Sequence, residues 1–181
     1  MSHSIFYSGY HRRVTITDSF IDWFVDKYIG KRYKLDFHIV TKGLKRECMY
    51  GQMLCLDSAT RPRFFEIQIH NGLSKWDYLV TLAHEMVHVK QRVKGEWGQK
   101  RDGSSTWHKQ IVSPFTKYWD EPWEIDARAW EKYIANRAIY EGVVTVEKSV
   151  HKSMNWLSNY IIIVITSRML CYHSDHIKNA L

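Results

Sequence analysis

His84, Glu85 and His88 form an H-E-x-x-H pattern inside 74–94, a stretch whose apolar spacing predicts a helix. Residues four apart lie about 40° apart around a helix, so both imidazoles leave one face and can share one metal ion. Glu85 stands beside His84, near enough to reach a water on that metal without being a ligand. Two imidazoles and a carboxylate base are the working parts of a zinc hydrolase, which needs a third protein ligand and keeps a fourth position for water. Ten histidines in 181 residues make a chance match conceivable, so the flanks must decide. Leu79, Leu82, Met86, Val89 and Val93 form one apolar stripe, and Val80, Ala83 and Val87 a second. The polar arc is narrow: Thr81, His84, Glu85 and His88. Polar groups confined to a strip of a largely buried helix need partners, and a metal supplies one.

The third ligand is sought downstream, in a second helix expected from Pro122 to about Glu141. Proline suits a first helical turn, where its missing N–H costs nothing. Trp123, Ala127, Trp130, Ile134 and Arg137 would lie along one side of it. Glu124 is the preferred ligand. Glu121 and Asp126 are the alternatives, since all three acids also suit the positive end of a helix dipole.

The runs Thr81-Leu82-Ala83-His84-Glu85-Met86-Val87-His88 and Pro122-Trp123-Glu124-Ile125-Asp126-Ala127 resemble those of small single-domain gluzincin-type (zincin) metallopeptidases. The SprT-like and ImmA/IrrE-like families are of this kind. The E-x-x-A of Glu124 to Ala127 is similar to the ImmA/IrrE-like ligand helix, and the Pro-Trp-Glu context looks most like phage-encoded metallopeptidases. The resemblance spans residues 18–141. It implies an α+β zincin-like core over 1–145: an N-terminal helix, a sheet of three or more strands, the H-E-x-x-H helix and the ligand helix. It implies a Zn2+ cofactor held by His84, His88 and Glu124, with Glu85 as catalytic base and a peptide or protein as substrate. The chain departs from SprT-like enzymes in lacking an evident third His and a Cys-rich zinc ribbon. Where thermolysin-like enzymes place an Asp four residues after the ligand Glu, this chain has Arg128. A carboxylate orienting a ligand His must then come from elsewhere, with Asp126 the candidate.

Several elements must position these residues. Asp18 is placed as the N-cap of a helix through Phe20, Ile21, Phe24, Val25 and Tyr28 that ends near Gly30. Strands are expected over 33–40, 47–56 and 64–70, the last alternating Phe65, Ile67, Ile69 against Glu66, Gln68, His70. This last strand is the candidate edge to which an extended substrate would add. The 94–117 stretch, rich in Gly, Lys and Ser, reads as a long loop that could cover the cleft or simply run over the surface. Tyr118, His108 and Arg128 are the candidates for contacting substrate or its oxyanion.

Net charge is +7, from 26 basic and 19 acidic residues. Lys90, Arg92, Lys94, Lys100, Arg101, Lys109 and Lys117, with Trp97 and Trp107, give 90–117 a composition that suits nucleic acid, although a solvated basic face is the plainer reading. Aromatic residues make up 14 % of the chain, including eight Trp, which argues for an ordered core. Three cysteines without regular spacing predict no disulfide framework and suit a reducing cytoplasm, that of a host if the gene is viral. No signal peptide is expected, and the apolar run within 160–170 is too short to span a bilayer. The 146–181 segment reads as an extension, in which Cys171, His173 and His176 make a second metal site conceivable and a polar terminus the plainer alternative. Two competing functions stay open: a metal-dependent hydrolase of non-peptide substrates, and a nucleic-acid or protein-binding module with a structural or vestigial metal site.

Overall fold

The computed structural model describes residues 3–146 apart from 48 and 59. The 160–170 run and the Cys171, His173 and His176 cluster lie outside the described residues. The elements are β1 (Ser4–Gly9), α1 (Val14–Phe24), which continues as a π-helical turn (Val25–Ile29), β2 (Asp36–Lys42), β3 (Gly51–Cys55), β4 (Phe64–His70) and α2 (Lys75–Lys94). Three short strands follow, β5 (Trp97–Gln99), β6 (Ser105–Trp107) and β7 (Gln110–Ile111), and then α3 (Pro122–Tyr140). The class is α+β, as expected.

The main sheet has the order β1-β2-β4-β3, with β1, β2 and β4 parallel and β3 antiparallel to β4. Side chains alternate across a strand, so Phe37, Ile39, Phe65, Ile67 and Ile69 all point to the helices. There they meet Phe20, Ile21 and Phe24 of α1 and Leu79, Leu82, Ala83 and Met86 of α2 in one buried core. Ala127, Ile134, Ala135 and Ala138 of α3 join it, and the three alanines let α3 lie close along α2. The other face of the sheet carries Ser8, His38, Glu66 and Gln68.

α2 begins and ends where its local chemistry dictates. The Ser74 hydroxyl caps it by accepting from the Asp77 amide at 3.1 Å, and Gly95 closes it in the left-handed region at φ 72°. α3 opens on Pro122.

Other expectations are corrected. α1 starts at Val14, so Asp18 lies inside it and is no cap. Its carboxylate instead accepts a hydrogen bond from the Tyr7 hydroxyl of β1. The earlier start follows from tertiary contacts of Arg13, whose guanidinium lies 4.8 Å from the Tyr78 ring centre and donates to the Leu73 carbonyl at 2.6 Å. β1 was not anticipated. β4 is interior, paired with β2 and β3, so it cannot be the free edge; among the described residues the edges are β1 and β3, of which β3 adjoins β4. Trp130 is 44 % exposed, because the buried seam of α3 runs through Ala127, Ile134, Ala135 and Ala138 instead.

Candidate metal centre

α2 and α3 lie side by side, and three of their side chains meet. His84 Nε2 and His88 Nε2 are 3.1 Å apart, His88 Nε2 is 3.2 Å from Glu124 Oε1, and His84 Nε2 is 3.4 Å from Glu124 Oε2. Among the described residues these three form the group able to hold a metal ion. His88 and Glu124 are buried, and His84 is partly so. The alternatives for the third position point elsewhere. The Glu121 carboxylate accepts from Trp123 Nε1 at 3.1 Å, and that of Asp126 accepts from Gln91 Nε2 at 2.9 Å.

Each imidazole is fixed by its other nitrogen. His84 Nδ1 donates to Glu131 Oε2 at 2.9 Å. His88 Nδ1 lies 2.8 Å from Gln91 Oε1. The Gln91 amide has no freedom to flip, because its Nε2 already donates to the Trp123 carbonyl at 3.0 Å and to Asp126. Its oxygen must therefore face His88, which makes His88 Nδ1 the protonated nitrogen and leaves Nε2 as a lone pair. The orienting carboxylate for His84 is thus Glu131, while Asp126 acts on His88 one step removed. Glu131 and Gln91 were missed in the sequence. Their signal was spacing: Glu131 lies two helical turns beyond Glu124 on the same face, and Gln91 nearly one turn beyond His88.

Two imidazole nitrogens and two carboxylate oxygens converge on one point, and positive charge, as a proton or a metal ion, must stand between them. Glu124 Oε2 is buried and accepts no hydrogen bond. Burial alone would push the Glu124 carboxyl up, but the two imidazoles outweigh it and hold it well below the usual carboxylate range. The same contest runs in reverse at His84. Burial disfavours its charged form, yet Glu124 and Glu131 together lift its pKa far above that of a free imidazole. Tetrahedral zinc, with bonds of about 2.0–2.2 Å, places its ligand atoms about 3.3 Å apart. The observed separations of 3.1, 3.2 and 3.4 Å match that spacing, so the residues fit the ion.

Glu85 is buried on the same helix, and burial pushes its carboxyl pKa up. Gly51 of β3 makes room for it. A Cβ there would stand 2.7 Å from Glu85 Oε1 and 2.6 Å from Thr81 Cγ2, so any larger residue would displace the carboxylate. The His88 side is walled by Trp97, whose ring lies 5.4 Å from the imidazole and stacks on Trp123 at 4.9 Å and 7°.

Of the three substrate-contact candidates, Arg128 reaches the cluster. Its guanidinium rests over Trp119, donates through Nη2 to the Trp119 carbonyl at 2.5 Å, and aims a buried Nη1 without a hydrogen-bond partner at Glu124 Oε2, 3.6 Å away. Tyr118 packs against Trp119 in the turn before α3. His108 sits on the exposed turn after β6 at φ 46°, its ring on Trp107, and does not join the cluster.

The stretch after α2 is a small antiparallel sheet, β5-β6-β7, and its basic residues are unequal. Lys90 pairs with Glu96 at 2.9 Å, Arg92 is buried over Trp97, and Lys94 donates to the Ile29 carbonyl at 2.6 Å. Those three are spent on structure, while Lys100, Arg101, Lys109 and Lys117 remain exposed. No helix of the described residues is long and apolar enough to cross a membrane. Comparison with known proteins returns no match: no family model, no curated protein and no solved structure is significantly similar to the chain.

Proposed function

We propose that the chain is a zinc-dependent peptidase of zincin type, with His84, His88 and Glu124 as ligands and Glu85 as general base. The observation that carries the reading is the pairing of a preorganised set of three converging side chains with a buried carboxylate that is not part of it. A structural zinc site is usually closed by four protein ligands and has no need of such a base. When bound, the ion supplies Lewis acidity, which acidifies a water and polarises the scissile carbonyl. Glu85 would take a proton from that water as its oxygen bonds to the carbonyl carbon, and would deliver the proton to the amine as the C–N bond breaks. Arg128 Nη1, held in place by Trp119, is the donor best situated to meet negative charge developing on the substrate. β3 offers its outer edge to an extended peptide, with Gly51 bringing that edge against Glu85.

The test is Glu85→Gln in the zinc-loaded full chain, with an unstructured protein as substrate and cleavage followed by mass spectrometry. Hydrolysis should fall about 10²–10⁴-fold while zinc content stays that of the parent. A Gln variant that cleaves like the parent contradicts the mechanism.

A further inference from the structure

A second basic surface lies away from the metal cluster. An open cleft of about 860 Å³ is lined by Lys31, Arg32, Tyr33, Lys34 and Arg63. The Tyr33 ring is its scaffold, with Arg32 and Arg63 each 5.1 Å and Lys94 5.2 Å from the ring centre. Of the neighbouring acids, Asp26 pairs with Lys31 at 3.5 Å, and Asp57 accepts from the Arg63 amide at 2.9 and 3.1 Å. Among the described residues, Arg32, Lys34, Arg63 and Lys94 form no ion pair. Like charges gathered around one ring without a carboxylate repel one another, an arrangement that a polyanion relieves.

We infer that this cleft binds the phosphate backbone of single-stranded nucleic acid. Both Arg and Lys suit phosphate, Arg as a bidentate donor and Lys as a point charge. The cleft is open and shallow and none of its lining residues lies in a helix, which fits a flexible strand better than a duplex groove. An anionic bilayer is the weaker partner, because no aliphatic or Trp side chain lines the cleft to insert among lipids. The tyrosine face is occupied by cations, so recognition is through charge and carries little sequence preference. The cleft shares no residue with the metal cluster, and the inference stands independently of the peptidase reading.

The test is fluorescence anisotropy of a labelled oligo-dT with the full chain, in chelator, across about 50 to 200 mM salt. The parent should bind, with a log–log salt slope of about −0.7 for each phosphate neutralised. Arg32→Glu with Arg63→Glu should weaken binding at least about tenfold and flatten the slope. Lys31→Glu with Lys34→Glu, two exposed side chains, should do the same with an unchanged thermal transition, which separates lost contacts from lost fold. Lys100→Glu with Arg101→Glu should leave binding as in the parent. Three results would overturn the inference: no salt-dependent binding by the parent, loss in the Lys100/Arg101 pair but in neither cleft pair, or binding to phosphatidylserine vesicles without binding to oligo-dT.

Discussion

Two parts of the molecule join histidines to carboxylates, and their difference defines the candidate site. On the sheet face opposite the helices, His38 Nδ1 meets Glu66 Oε2 at 3.0 Å and His38 Nε2 meets Ser8 Oγ at 2.7 Å. Gln68 Nε2 then donates to Glu66 Oε1 at 2.5 Å. Both ring nitrogens of His38 are thus engaged within the strand array, in side chains still partly open to water. Between α2 and α3 the same residue types converge instead. Each Nδ1 is engaged, both Nε2 atoms face the same point, and a buried carboxylate oxygen there has no donor. What sets the second array apart is convergence: three side chains from two helices, both imidazoles held from behind, meet around one point able to hold a metal ion.

Zinc affinity breaks or sustains this contrast most sharply. His88→Ala or Glu124→Ala should lower it by more than about 100-fold in a competition titration, beyond the usual cost of losing an orienting residue. His38→Ala should leave it unchanged. Equal losses at His38 and His88 would erase the distinction between the two arrays.

The orienting residues come next. Gln91→Leu and Glu131→Gln should each weaken zinc by about 10–100-fold without removing a ligand. Asp126→Asn should cost less than Gln91→Leu, because the Trp123 carbonyl still holds the Gln91 amide. An unchanged affinity in Gln91→Leu would contradict the tautomer assigned to His88.

Gly51→Ala probes the base rather than the metal. The added Cβ must push Glu85 aside, so hydrolysis should fall by up to about 100-fold at nearly constant zinc content. Loss of zinc without further loss of turnover per bound zinc would place Gly51 outside the catalytic geometry.

The smallest effect lies at a third carboxylate, Glu141, which accepts from Lys27, from Trp23 at 2.8 Å and from Arg137 at 2.5 Å. These donors hold its pKa down to about 2. A depressed folded pKa stabilises the fold above the unfolded value of about 4.5, and that contribution is lost as pH falls towards about 2. The Tm difference between parent and Glu141→Gln should therefore be present at neutral pH, shrink below about 4.5 and vanish near 2. It should not respond to zinc. A difference that grows on acidification would reverse the sign and contradict the assignment.

Much of the site was legible because it rests on local pattern. Apolar periodicity marks α2, Pro122 marks the start of α3, and clean alternation marks β4. What was not legible depends on partners distant in sequence. β1 exists through parallel pairing with β2, from Ser4 opposite Asp36 to Gly9 opposite Thr41, which local alternation cannot announce. Asp18 has the chemistry of a cap but lies within a helix that Arg13 anchors from outside. The 95–117 stretch contains three strands of three residues or fewer, too short for a periodic signal. Glu131 and Gln91 become orienting groups once α2 and α3 are set side by side, a fact of packing that spacing along one helix can suggest without deciding.

The most direct test is diffraction at the zinc edge from crystals of the full chain grown with zinc. An anomalous peak among His84 Nε2, His88 Nε2 and the Glu124 carboxylate, with Glu85 beside it and not bonded to it, is the predicted result. A zinc-loaded crystal with no peak there, or with Glu85 as a ligand, would contradict the account.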